Sequence, residues 1–244
     1  QPQQDPPRPR RLRRSQQPAP LGLGGLRLSP ASRRRRPRLA AILLAAGEST
    51  RMGRPKALLP WGGVPLIRHH VDLLTAQPAI DQLIVVVGNL QDEVRHALQG
   101  TPARVIVNPR YREGRATSLA AGARALENQP ASVLVVNVDQ PLAANLLDPL
   151  VAAWRTEPAA LWRPSYHGRG GHPLIVPADV TPELQQVTEA TQGLRAVVTR
   201  HRQRLRSVPV DSKLAVLNLN TPADYAAAQP SSHPAPSPKL SAGP

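Results

Sequence analysis

From residue 39 onward, apolar runs and amphipathic stretches take turns along the chain. Leu39 to Leu44 is wholly apolar, the pattern of a strand buried on both faces. Val64 to Gln77 follows, with Leu66, Ile67, Val71 and Leu74 at helical spacing on one face. Gln82 to Gly88, carrying L-I-V-V-V, predicts a second buried strand, and Leu90 to Gln99 a helix. Ala103 to Val107 reads as a strand, Thr117 to Glu127 as an Ala-rich helix, Ser132 to Val138 as another buried strand and Ala143 to Trp154 as a helix. After residue 155 the pattern loosens into a Gly-rich hairpin around 163–176 and a helix near 190–202. Strands near 205–210 and 214–219 precede a last helix that opens at Thr221 and fades by Ala228.

Strands alternating with helices predict an α/β fold, a three-layer Rossmann-like, mostly parallel sheet with helices on both faces. In such sheets ligands lie beyond the carboxyl ends of the strands. Two polar motifs fall there, so that edge is where chemistry is expected.

Charge changes the picture mainly at the ends. The net charge is +15, and residues 1–38 hold 11 of the 31 Lys and Arg against one acidic residue, Asp5. The body is therefore only mildly basic, as suits a protein that handles phosphates. Residues 1–38 and 229–244 are Pro-rich and predict disordered tails around a 39–228 domain. The first tail reads as a dispensable extension or an over-extended gene start. A polyanion-binding arm is the alternative, and any contact with nucleic acid would run through it. Its Arg-rich, acid-poor character fits a transit peptide, but its prolines oppose the amphipathic helix such a peptide needs.

Cys and Phe are both absent, which excludes disulfides, thiolate catalysis and Cys-ligated zinc and leaves an aliphatic core. No apolar run approaches the ~18 residues of a membrane span. With no secretory leader apparent in 1–38, a cytoplasmic protein without membrane contact is expected.

The strongest chemical signal is L-A-A-G-E-S-T-R-M-G-R-P-K, Leu44 to Lys56. After Leu44, Ala45, Ala46 and Gly47 bring small residues to a strand end, where successive backbone N–H groups form an anion-binding concavity, and all four are candidate nucleotide-binding positions. Arg51 and Lys56 add the positive charge that a departing pyrophosphate needs. The Walker A pattern and the dinucleotide fingerprint are both absent. V-V-N-V-D-Q-P puts Asp139 at the end of a buried strand, where a carboxylate needs a cation, and magnesium suits it. Capping of the following helix is the competing role for Asp139.

These motifs resemble the L-A-A-G-x-S-x-R-M-G-x-x-K and D-Q-P elements of the molybdenum cofactor cytidylyltransferases, among the nucleotidyltransferases related to molybdopterin-guanine dinucleotide synthases. The resemblance covers roughly 39–228 and implies a fold like that of nucleotide-diphospho-sugar transferases. It implies that Arg51 and Lys56 stabilise charge during transfer and that Asp139 holds Mg2+ on the α-phosphate. Ala-Ala-Gly looks like the CTP-using branch, where the GTP-using branch tends to Ala-Gly-Gly.

By the same resemblance, Gly114 and Ser118 in G-R-A-T-S-L-A-A-G contact base and ribose. Gly171 and His172 in the G-H-P element face the acceptor. Asn220 takes a metal-ligand position, in N-L-N-T-P-A-D where relatives usually have D-I-D-T-P-E-D. Asn218 and Asn220 alternate along the expected strand and so share a face. T-Q-G-L-R keeps only Gly193 and Arg195 of the relatives' G-D-x-G-A-R, so acceptor contacts differ there.

The implied activity is transfer of CMP from CTP to a phosphorylated acceptor of the molybdopterin type, with a molybdoenzyme or maturation factor as a further partner. Guanylyl or uridylyl transfer on the same fold is the nearest alternative. A non-catalytic polyanion-binding protein is the alternative from another class.

Overall fold

The Leu39–Ala45 strand (β1) is buried along its whole length, and its residues alternate between two cores. Leu39, Ala41, Leu43 and Ala45 face one layer; Ile42 and Leu44 face the other. In this computed structural model the described residues are 38–49, 52–88, 90–127 and 130–229. Except for Arg38 and Gln229, the two expected tails lie outside the described residues, as does Arg51.

The order after β1 is β2 (Pro60–Trp61), β3 (Val64–Pro65), α1 (Leu66–Ala76), β4 (Ile80–Val87), α2 (Gln91–Ala97), β5 (Arg104–Val107), α3 (Arg115–Arg124), β6 (Ser132–Asn137) and α4 (Ala144–Thr156). Then come β7 (Leu161–Tyr166), β8 (Arg169–Gly170), β9 (Leu174–Pro177), α5 (Thr181–Leu184), α6 (Leu194–Arg200), β10 (Leu205–Pro209) and α7 (Pro222–Ala228). The main sheet runs β10-β7-β9-β6-β1-β4-β5, with β8 on β7. β1 pairs in parallel with both β4 and β6, and β4 with β5. The chain steps outward to β5 and then returns to β6 on the other side of β1. That reversal opens a crevice at the strand ends.

Leu66, Ile67, Val71 and Leu74 of α1 join Leu146, Leu147, Leu150, Val151 and Trp154 of α4 in one core. The other packs Ala116, Leu119, Ala120 and Ala123 of α3 with Leu184 of α5 and Val197 of α6. The expected α/β sheet with helices on both faces is the fold observed.

Several expected elements differ. Val64 and Pro65 belong not to the helix but to a hairpin with Pro60 and Trp61. The 163–176 hairpin is β7 with β8, while β9 inserts antiparallel between β7 and β6, making the sheet mixed. The helix near 190–202 spans only Leu194–Arg200. No strand forms near 214–219: Lys213–Val216 is a 3-10 turn, and the segment after it spends its backbone bonds on loops instead of a ladder. Ala215 O accepts from His172 N at 2.7 Å, and Leu219 N donates to Asp139 O at 2.8 Å.

Candidate active site

The loop after β1 folds back so that the Lys56 backbone N–H donates to Ser49 Oγ at 3.0 Å, opening a 3-10 turn at Lys56–Leu58. Ala57 and Leu59 are buried beside it and fix the turn, so the Lys56 side chain leaves toward the strand ends. Its Nζ lies 3.5 Å from Asp139 Oδ2 and donates to Asn220 Oδ1 at 3.2 Å. Three residues from distant parts of the chain thus meet, with the Lys56 and Asp139 side chains only 13% and 15% exposed.

Asp139 does not cap the following helix, because α4 begins at Ala144 with Ala143 as its cap. A relay of side-chain amides, two buried and one half-buried, holds its loop instead. Asn137 Nδ2 donates to Gln140 Oε1 at 2.8 Å, and Gln140 Nε2 donates to Asn218 Oδ1 at 2.8 Å. His70 on α1 brackets the relay, its Nε2 3.0 Å from Gln140 O and its Nδ1 2.7 Å from Leu66 O. Burial pushes the His70 pKa below the usual histidine value, the two carbonyls opposing that shift. The Asn218–Asn220 segment is not a strand, so its two side chains do not alternate as expected. Each reaches a different partner, Gln140 or Lys56. Beyond it a capping box of Thr221 and Asp224 starts α7 at the expected place.

Leu44, Ala45, Ala46, Gly47, Lys56, Gly114, Ser118, Asp139 and Asn220 all line one cavity of about 310 Å³. Ser118 is buried and its hydroxyl accepts from Asn108 Nδ2 at 3.0 Å, while Asn108 also holds Thr117. α3 starts two residues earlier than expected. Gly114 caps it with φ 118°, a conformation that favours glycine, and Glu189 Oε1 accepts from Ala116 N at 2.6 Å.

A larger cavity of about 700 Å³ adjoins the first through Leu44, Gly114, Arg115 and Asn137. Gly171 and His172 line it, together with Arg115, Arg163 and Arg195. Loss of hydration, reinforced by Arg115 and Arg163, holds His172 below the usual histidine pKa, with Asp139 pulling the other way. At neutral pH His172 is therefore a neutral ring among guanidinium groups. A further cavity of about 590 Å³, along α2 and β5, contains none of the motif residues.

Gln140, Arg115 and Arg163 escaped the sequence reading. Arg115 stands directly after Gly114 in a recognised motif, which was a usable signal. Gln140 looked like a spacer between Asp139 and Pro141, and nothing local distinguishes Arg163.

Gly171 has a packing role that a motif cannot reveal. A Cβ there would lie 1.9 Å from Ala215 O, the same carbonyl that accepts from His172 N. Gly171→Ala is expected to destabilise the protein by about 1–3 kcal/mol, read as a lower melting midpoint. An unchanged midpoint would mean that this loop gives way freely.

The open α/β sheet, with Lys56, Asp139 and Asn220 gathered at its β1–β6 strand ends, is a setting in which nucleotides bind, and the family match below makes it that of a nucleotidyltransferase. Residues 41–205 match the MobA-like NTP transferase domain, and the chain belongs to that family. It is 30% identical over 168 residues to nicotine blue oxidoreductase of Paenarthrobacter nicotinovorans, covering 65% of this chain and 80% of that protein. It is 29% identical over 195 residues to molybdenum cofactor cytidylyltransferase of Escherichia coli K12, covering 77% and 94%. Among solved structures it resembles Rv0371c of Mycobacterium tuberculosis H37Rv with a TM-score of 0.66 and 27% identity, covering 78% and 96%. Rv0371c has also been solved with manganese, at a TM-score of 0.63 and 26% identity, covering 78% and 97%. Relatives named for such different chemistries show that family membership alone does not choose the acceptor.

Proposed function

We propose that this protein transfers CMP from CTP to the phosphate of a small-molecule acceptor of the molybdopterin type, releasing pyrophosphate. The convergence of Lys56, Asp139 and Asn220 at one cavity, beside a larger arginine-lined one, carries this reading. A volume of about 700 Å³ lies within the ~300–1,000 Å³ of small-ligand sites, and its guanidinium groups suit a phosphorylated guest.

The acceptor's phosphate oxygen attacks the α-phosphorus, the bond to the β-phosphate's bridging oxygen breaks, and that oxygen leaves with the pyrophosphate. A phosphate monoester has shed its second proton above about pH 6, so the attack needs no general base. His172, held neutral, serves as a hydrogen-bonding wall for the acceptor. Lys56 and Arg51 neutralise the leaving pyrophosphate, and the backbone from Leu44 to Gly47 lies along the nucleotide. Gly114 and Ser118 border the base and ribose, and Gly171 keeps the acceptor loop close. Asp139 and Asn220 offer only oxygen donors, the set that a hard cation such as Mg2+ takes. That ion would supply charge neutralisation and orientation at the α-phosphate.

In the same reading residues 39–228 are the catalytic domain, and the basic, Pro/Arg-rich tail of residues 1–38 is dispensable to it. The protein works in the cytoplasm and passes its product to a molybdoenzyme or maturation factor. Among the described residues no helix is long and apolar enough to cross a membrane.

A thermal-shift panel of the full chain with magnesium and CTP, GTP, UTP or ATP tests the nucleotide. Ligand at ~100 times its dissociation constant adds about 2.7 kcal/mol, so a magnesium-dependent shift selective for CTP is expected. Preference for GTP or UTP would replace the cytidylyl reading with a sister activity. Silence with all four would overturn it.

A further inference from the structure

Arg163 on β7 is a positioned cation. Its Nε donates to Ser207 Oγ on β10 at 3.2 Å, and its guanidinium fills the space above Gly170 of β8, where a Cβ would stand 2.2 Å from the Arg163 Cζ. Among the described residues no carboxylate pairs with Arg163, nor with Arg115 or Arg195, the other arginines of the larger cavity. Glu189, the acidic residue of that lining, spends an oxygen on Ala116 N at 2.6 Å. The three arginines are not equivalent. Arg115 lines both cavities, whereas Arg163 and Arg195 line only the larger one. Arg195 is exposed on α6, while Arg163 is half-buried and anchored.

Transfer has to occur where the two cavities meet, so the reacting phosphate of the acceptor sits at that junction, beside Arg115. Arg163 is left for another part of the acceptor. We propose that Arg163 selects the acceptor by binding a second anionic group on it, a carboxylate or a further phosphate, apart from the phosphate that reacts. The inference rests on the nucleotidyl-transfer reading and deepens it, since it makes the acceptor a phosphate monoester with two anionic groups. A guanidinium grips either anion through paired N–H groups, and one whose rotamer is already set loses less freedom on binding. Ser207 occupies Nε, which leaves the two Nη groups for the guest. Leu119, Val135, Leu174 and Val198 supply aliphatic walls, which give an anion few partners besides the arginines. Loss of hydration and then Arg115 lower the His172 pKa, and Arg163 adds to them, which places its charge at the acceptor wall.

Two phosphate monoesters of the same skeleton serve as probes, titrated into the full chain by calorimetry. 3-Phosphoglycerate carries a carboxylate where glycerol 3-phosphate carries a hydroxymethyl group. The wild-type chain is expected to prefer 3-phosphoglycerate roughly tenfold, the discrimination that one charge-assisted hydrogen bond supplies. Arg163→Met should erase that preference and leave glycerol 3-phosphate binding largely unchanged. Gly170→Ala leaves Arg163 in the chain but should also erase the preference, because its Cβ displaces the guanidinium. What must move there is the end of a flexible side chain, so the fold survives, and circular dichroism checks this for each variant. The double variant should lose no more than Arg163→Met alone, since both changes remove one and the same contact.

Equal affinity of the wild-type chain for the two probes, or none for either, would overturn the inference. A preference retained in Arg163→Met or Gly170→Ala would do the same. So would a loss of both probes alike, which would place Arg163 on the reacting phosphate. Failure of every nucleoside triphosphate to bind the wild-type chain would instead remove the transfer reading, with the two probes still deciding what Arg163 holds.

Discussion

Lys56→Ala is expected to slow nucleotidyl transfer roughly 10²–10³-fold, the loss that follows when one preorganised charge is taken from a transition state. The side chain is only 13% exposed and ends between Asp139 and Asn220, so no mobile surface lysine can replace it. Its backbone contact with Ser49 Oγ does not involve the deleted atoms, so the loop should keep its path. The loss should therefore fall on turnover with little change in melting behaviour. Lys56→Arg should recover little, because a planar fork does not reproduce a compact ammonium in a confined site. Pyrophosphate release under saturating nucleotide, with a thermal melt of each variant, makes the check. Turnover within a few-fold of wild type would remove Lys56 from the mechanism, whatever the fold.

Much of this arrangement was legible because the central strands are buried on both faces. β1, Leu83–Val87 of β4 and Val133–Val136 of β6 are continuous aliphatic runs, and helices on both sides of a parallel sheet cover such runs. The small residues from Ala45 to Gly47 and the carboxylate of Asp139 stood out because each interrupts an apolar run at its end. Legibility failed where a residue's role depends on partners remote in sequence. Gln140 acts through Asn137 and Asn218, and Glu189 accepts from Ala116 N in the first turn of α3. Around 214–219 a largely apolar stretch suggested a strand, yet the backbone partners there lie on the Asp139 and Gly171 loops. Local propensity cannot foresee that.

Trp154→Ala is expected to cost about 3–5 kcal/mol of folding stability, the range for emptying a fully buried large aromatic site. Against the roughly 5–15 kcal/mol typical of a domain, that loss takes from about a fifth of the total to all of it. Trp154 is fully buried at the last turn of α4, and its indole N–H donates to Ser132 Oγ at 2.9 Å, at the first residue of β6. The chain has no Phe and few other aromatic residues, so the surrounding aliphatic side chains have nothing large enough to fill the void. Trp154→Phe separates the two contributions. It keeps most of the volume and gives up the hydrogen bond, and should cost about 1 kcal/mol. Neither change should alter nucleotide affinity well below the melting temperature, because Ser132 begins β6 while Asp139 lies just beyond its far end. Melts by circular dichroism and CTP titrations at low temperature read the two effects independently. A drop in affinity that tracks the drop in stability would show that β6 transmits packing at its start to the carboxylate at its end.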